Sequence, residues 1–228
     1  MISVRTKLYF SMENLILQQF FVFTFPERHD KMCSYLYFSF LRGQTMDSNF
    51  FALISRMRYI ARWGLMRNAL PENIQEHSHM VAVLAHALGV IRRDIFHQPC
   101  DVNALATAAL YHDASEILTG DLPTPIKYHN AEIMSAYHAV EDLAVQKLLG
   151  MLPPELRETY ADVLAEDKDG DIYPLVKAAD KLSAYIKCIE ERKAGNNEFL
   201  SAEAQTRAAL EASPLPEVQY FLEHFIPA

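Results

Sequence analysis

From Phe50 onward, apolar residues recur at spacings of three and four, the mark of helices with one buried face. Phe50, Leu53, Ile54, Met57 and Ile60 form a first stripe that ends near Trp63-Gly64. Pro71 precedes a second helix, expected from about Asn73 to Ile95. Asp101 has the chemistry of an N-cap and opens a third, over 102–118. The segment TGDLPTP (119–125) reads as a loop, because two prolines and a glycine cannot all continue a helix. A fourth helix is expected over 130–149 and a fifth from Pro153-Pro154 to about 165. EDKDGD (166–171) is a polar turn. A sixth helix spans Pro174 to Ala194 and stops at Gly195; shorter ones follow near 197–211 and 215–225. No alternating β-branched run interrupts the series after position 46. The expected class is all-α, one helical bundle in a single domain.

Three groups of polar residues break this pattern. His77 keeps step with Ile74, Val81, Leu84 and Leu88, so its ring points at the core. Taken alone, that is a hydrogen-bonded core histidine. His112, Asp113 and Glu116 emerge at the C-terminal end of a helix otherwise built of Ala and Leu. A buried carboxylate is costly without a cation or several donors, and acids there face the negative end of the helix dipole. Either a metal satisfies them or the helix end reaches water. Asp180 borders the stripe Leu175, Ala179, Leu182 and Ile186. In mid-helix it has no capping role, so it is half exposed beside Lys181 or paired with something buried. Two His and two Asp make a reasonable donor set for Zn, Mn, Co or Fe.

Composition narrows the function classes. The chain carries 21 basic and 29 acidic residues, net −8, which disfavours a surface for nucleic acid polymers. Cys33, Cys100 and Cys188 are odd in number and far apart, and no CxxC occurs, so neither a zinc ribbon nor a disulfide framework is supported. Reduced thiols in a cytoplasmic protein are the expectation. The charge is unevenly placed. Residues 1–46 hold five basic and three acidic side chains, net +2, leaving 16 basic and 26 acidic in the remaining 182. Ten of the 25 aromatic residues also lie in that first segment.

Three readings of residues 1–45 compete. A signal peptide fits Arg5 and Lys7, but Glu13, Gln18 and Gln19 interrupt the apolar stretch and no A-x-A site follows. A membrane helix needs about 20 apolar residues; the run Leu15 to Phe25 has 11. The third reading starts translation at Met46, where MDSNFFALISRMRYIARW opens as a natural first helix. The expectation is an extension over 1–45 outside the catalytic fold and a domain over 46–228, with no membrane association of that domain.

The ordered set His77, His112-Asp113, Asp180 resembles the H…HD…D signature of the HD-domain metallophosphohydrolases. The words RWGLMRN, EHS, YHDASEILTGDLPTPIKY and VKAADKLSAYIKCIEE are similar to those of the bacterial 5′-deoxynucleotidases of the YfbR type. The resemblance runs from Met46 to the C-terminus. It implies an all-α HD bundle, a homodimer, and one divalent metal ion (Co, Mn or similar) held by His77, His112, Asp113 and Asp180. It implies that Glu116 and Asp121 act beside the metal, one of them orienting water or handling its proton. Arg62 is implied to hold phosphate as a charged fork, and Trp63 to pack near the sugar. Asp113, Asp121, Leu122, Pro123, Thr124 and Asp180 would line the substrate. Without the resemblance, Arg62 reads as a surface cation, Trp63 as core and Asp121 as a turn residue.

Other residues are set aside. His129 and His138 are not required by the matching words, so a second metal is not expected. His79 and His86 read as packing histidines. EDKDGD lacks the spacing and terminal Glu of an EF-hand. The implied activity is release of phosphate from deoxyribonucleoside 5′-monophosphates. The alternatives are an HD triphosphohydrolase, an HD phosphodiesterase, or a non-catalytic nucleotide-binding HD module.

Overall fold

The structure, a computed structural model, describes residues 49–127, 129–165 and 170–226. The expectations for residues 1–45 therefore lie outside the described residues, as does the part of EDKDGD at 166–169.

Helix α1 (Phe50–Ile54) passes into a 3-10 turn, Ser55–Tyr59. An irregular stretch carries Arg62 and Trp63 to α2 (Ile74–Val90). The Asn73 side chain caps α2 by accepting from the backbone N–H groups of Gln75 and Glu76 at 3.0 and 3.1 Å. A π turn, Ile91–Ile95, completes the length expected for this helix. Asp101 caps α3 (Val102–Tyr111) in the same way, accepting from Asn103 and Ala104 at 3.1 and 2.9 Å.

The expected helix over 102–118 is broken. After Tyr111 the chain turns through His112–Ser115 and resumes as α4 (Glu116–Thr119). The cause is local. His112 Nδ1 lies 2.7 Å from the Ala109 carbonyl, which a continuing helix would offer to its own backbone. Tight i to i+3 bonds take over, from Ala114 N–H to Tyr111 and from Glu116 N–H to Asp113. Gly120, at φ 76°, ends α4 in the left-handed region. The expected loop over 119–125 is also shorter than its prolines suggested. Helix α5 (Thr124–Lys127) starts inside it, with Pro125 in the first turn, where a missing N–H costs nothing.

Helices α6 (Ala131–Gly150), α7 (Pro154–Leu164) and α8 (Tyr173–Lys193) follow close to expectation. A 3-10 turn, Asn197–Phe199, leads into α9 (Leu200–Glu211), and α10 (Pro216–Phe225) ends the series. No strand occurs among the described residues, so the fold is all-α. Nor is any helix among them long and apolar enough to cross a membrane.

The core lies between α2, α3 and α8 and is closed by α9 and α10. Val81, Leu84, Leu88, Leu105, Ala109, Leu175, Ala179, Leu182, Leu210 and Val218 meet there. Each large aliphatic side chain contributes roughly 1.5–3 kcal/mol by leaving water. At Gly89, α2 and α3 approach so closely that a Cβ would stand 2.9 Å from Leu105 and 3.0 Å from Val102. This packing brings the first turn of α2, the end of α3 and the middle of α8 to one point.

Candidate metal centre

Those three places carry His77, His112-Asp113 and Asp180. The donor atoms of His77, His112 and Asp180 all lie within 4.8 Å of one another. His77 Nε2 is 3.1 Å from Asp180 Oδ1, and His112 Nε2 is 3.2 Å from Asp113 Oδ2. Asp113 Oδ2 also stands 3.5 Å from His77 Nε2 and 3.4 Å from Arg62 Nη1. The imidazole side chains are 1% and 2% exposed, so their nitrogens have no water to turn to.

Neither Nε2 makes a hydrogen bond, despite the carboxylate oxygens close by. The groups are near enough to attract but wrongly angled to bond. That is the geometry of donors converging on a common point rather than on each other. The other ring nitrogens are engaged. His112 Nδ1 meets the Ala109 carbonyl at 2.7 Å, and His77 Nδ1 meets Ser183 Oγ at 3.2 Å. An Nδ1–H donated there leaves the Nε2 lone pair facing inward, the state a metal ligand needs. Two such nitrogens with carboxylate oxygens beside them suit a borderline divalent ion, so the residues present fit a metal.

The carboxyl groups divide into two kinds. Burial opposes ionisation of Asp113 and Asp180, yet the positive charge that His112 and His77 carry when protonated, with that of Arg62, holds Asp113 well below the usual carboxylate range; the same two rings, when protonated, hold Asp180 there. Glu116 is pushed well above its ordinary value, by burial first and then by the charges of Asp113 and Asp121. Asp121 is raised too, by burial and Asp113, against Arg62. Glu116 is buried, and its Oε2 makes no hydrogen bond. Carboxyls driven apart in this way are suited to different tasks in one site.

Arg62 is not a surface cation. Its side chain is 13% exposed and bridges Glu72, at 3.1 Å from Nε, to Asp113. Trp63 is half-buried rather than plain core, with its ring 5.2 Å from that of Phe199. Its backbone works, more weakly, against the rise in the Asp121 pKa. The Asp121–Thr124 loop is held from behind. Lys127 reaches Glu141 on α6 at 2.9 Å and lies 4.5 Å from the Tyr137 ring, while Tyr137 Oη donates to the Gly120 carbonyl at 3.4 Å. Leu122 and Pro123 are half-buried, and Thr124 is exposed.

The remaining histidines stay outside the cluster. His138 pairs with Glu141 at 2.9 Å, and His129 is exposed. His79 and His86 are exposed as well, not packed as expected, because they fall on the outer side of α2. Two supporting residues escaped sequence reasoning, Ser183 and Glu72. Ser183 lies one turn after Asp180 on the same side of its helix, a spacing that could have revealed it.

A helical bundle that gathers His, His-Asp and Asp at one point is the arrangement of an HD-domain phosphohydrolase. An HD-domain phosphohydrolase from Listeria innocua is similar in structure, 25% identical with a TM-score of 0.70, over 78% of this chain and 87% of that one. The chain belongs to the 5′-deoxynucleotidase YfbR-like family, whose pattern matches residues 49–228. Similar relatives include the YfbR 5′-deoxynucleotidases of Shigella boydii and Escherichia coli. Each is 50% identical over 183 residues, 80% of this chain and 92% of the relative. A cyanophage S-2L HD phosphohydrolase bound to dA and one catalytic Zn2+ ion is 26% identical with a TM-score of 0.50, over 75% of this chain and 91% of that one.

Proposed function

We propose that this protein is a metal-dependent 5′-deoxynucleotidase that hydrolyses deoxyribonucleoside 5′-monophosphates to deoxynucleoside and phosphate, residues 46–228 forming the catalytic domain. The observation that carries the reading is the pair of buried, unbonded Nε2 atoms on His77 and His112, set among the carboxylates of Asp113 and Asp180. Family membership and 50% identity to proteins named 5′-deoxynucleotidase supply the substrate class.

His77, His112, Asp113 and Asp180 would hold one divalent ion, with Co, Mn and Zn all compatible with two nitrogens and two oxygens. When bound, that ion supplies a water of lowered pKa and neutralises charge on the phosphoryl oxygens. The rest is done by side chains. Arg62 presents Nη1 beside Asp113, where it can take a phosphate oxygen. Glu116 and Asp121, the two carboxyls raised by burial and by their neighbours, orient the attacking water and move its proton. Leu122 and Pro123 on the loop, and Thr124 at the start of α5, line the substrate, with Pro123 and Pro125 stiffening the segment. Trp63 packs toward the sugar. The net −10 of residues 47–228 disfavours polymeric nucleic acid and suits a small substrate drawn to a cationic centre. A homodimer and a cytoplasmic setting come with the resemblance and rest on it.

The test is phosphate release by the full chain, stripped of metal and resupplied with Co2+, Mn2+ or Zn2+, on deoxy- and ribonucleoside 5′-monophosphates. Asp113→Ala is the control. Metal-dependent release from the deoxy set, absent in Asp113→Ala, is the expected result. Tripolyphosphate from a triphosphate, ring opening of a cyclic nucleotide, or no release from a folded, metal-loaded chain would overturn the reading.

A further inference from the structure

The segment from Arg62 to Glu72 closes on itself. Arg62 N–H donates to the Glu72 carbonyl at 3.0 Å, and Ala61 pairs with Asn73 in an isolated antiparallel bridge. Within that closed loop a single oxygen, Glu72 Oε2, accepts from two side chains, Arg62 Nε at 3.1 Å and Trp63 Nε1 at 2.8 Å. The Glu72 side chain is 15% exposed.

Each of the two bonds removes a freedom that matters. Arg62 has Nε fixed on Glu72, and its Nη1 is turned toward Asp113, donating to Oδ2 at 3.4 Å. Trp63 sits at φ 60°, a backbone conformation that a bulky residue adopts only when its surroundings hold it there. Its ring packs against that of Phe199, tilted by 57° at 5.2 Å, and its N–H edge is tied to Glu72, so two contacts hold the ring's orientation. Discrimination against one added hydroxyl depends on a wall that does not yield.

We propose that Glu72 is the positioning residue for sugar selectivity: its carboxylate locks the Trp63 indole against the substrate's ribose edge while it aims Arg62 at the phosphate. This rests on the 5′-deoxynucleotidase reading above. The division of labour is testable because the two bonds have different chemistry. A neutral amide oxygen can still accept from the indole, but it gives up the charge-assisted grip on the guanidinium.

The full, Mn2+-loaded chain is assayed on deoxyadenosine and adenosine 5′-monophosphates, as wild type, Glu72→Ala and Glu72→Gln. Trp63 is the only tryptophan, so acrylamide quenching of intrinsic fluorescence reports on it directly. Glu72→Ala is expected to raise the quenching constant and to lower the deoxy-to-ribo ratio of kcat/KM about tenfold. Glu72→Gln is expected to keep quenching and ratio near wild type while KM rises on both sugars alike, through Arg62. In a Trp63→Phe background, Glu72→Ala should leave the ratio unchanged. If the alanine chain does not fold, Glu72→Asp replaces it with the same expected direction. A Glu72→Ala enzyme that loses both activities in proportion, or whose Trp63 is quenched as in wild type, overturns the proposal. So does a Gln variant that loses the ratio as fully as Ala. A wild type indifferent to the sugar overturns the functional reading instead, and the quenching comparison alone then decides whether Glu72 locks Trp63.

Discussion

Substitution of Glu191 by glutamine removes one charge and no volume, yet the structure assigns it a large cost. Glu191 lies on α8 with no exposure to solvent, beside Lys187, which is 4% exposed. Its carboxylate accepts from Ala69 N–H at 2.8 Å, Leu70 N–H at 2.9 Å, Asn196 Nδ2 at 2.8 Å and Lys187 Nζ. Lys187 Nζ also donates to the Leu70 carbonyl. One anion thus fastens the end of the Arg62–Glu72 loop to the back of the bundle. Glutamine leaves Lys187 charged and buried without its counterion, and turns an NH2 toward backbone donors. Breaking a buried pair in this way costs about 3–5 kcal/mol. For a unit of this size that lowers Tm by roughly 6–20 °C. The carboxyl is held at about 2, against an ordinary 4.5. Burial opposes that, and Lys187, Asn196 and the two amides overcome it. A depressed folded value means stability that is complete above 4.5 and lost as pH falls toward 2, so wild type should weaken in that window more than Glu191→Gln does. Urea unfolding of both proteins at pH 7 and at several points below 4.5 measures the two effects. A loss under about 1 kcal/mol at neutral pH, the size of an exposed pair, would refute the reasoning. The apolar double variant Lys187→Met/Glu191→Leu gives a second check. It abolishes the charge problem but orphans two amides, at roughly 1–3 kcal/mol each, so it should remain well below wild type.

Three further expectations follow from the site and the core. Ser183→Ala removes the partner of His77 Nδ1 and should weaken metal affinity about tenfold; a competitive chelator titration that finds it unchanged would remove Ser183 from the centre. Glu116→Gln should lower kcat by about 100-fold or more with metal content intact, as read by phosphate release beside elemental analysis. Gly89→Ala places a methyl 2.9 Å from Leu105 and 3.0 Å from Val102. Overpacking there costs about 1–3 kcal/mol against about 1 kcal/mol gained in helix propensity, so thermal unfolding should show a net loss, and a more stable variant would contradict the close approach.

Much of the bundle was legible because burial repeats with the helical period. Stripes such as Leu175, Ala179 and Leu182 locate α8 within a residue of its ends. Asp101 announces its cap by residue type alone. His77, His112 and Asp180 were legible through the resemblance, and only weakly through chemistry, since a histidine in step with a core stripe has several fates. What sequence could not supply was contact between distant polar groups. Glu72 follows Arg62 by ten residues, with no periodic relation to mark it. Glu191 meets amides of residues 69 and 70 across the fold. His79 and His86 failed for a related reason. The side of α2 they occupy becomes surface only once it is known where α3 and α8 pack.

The broken third helix shows how closely folding and chemistry share their atoms here. The run VNALATAALYHDASEIL favours a continuous helix, since Ala and Leu are strong formers. The structure ends it at Tyr111 because His112 takes the Ala109 carbonyl. That bond does two things at once. It diverts a carbonyl the next turn would have used, which lets Asp113 swing to within reach of His77 and Arg62. It also engages Nδ1, which leaves Nε2 facing the other donors. The tight turn that follows holds Asp113 Oδ2 3.2 Å from His112 Nε2 and 3.5 Å from His77 Nε2. The adjacent His-Asp pair is therefore more than two ligands in sequence. The first residue breaks the helix in the way that makes the second available, and for that reason adjacency, rather than helical spacing, suits this centre.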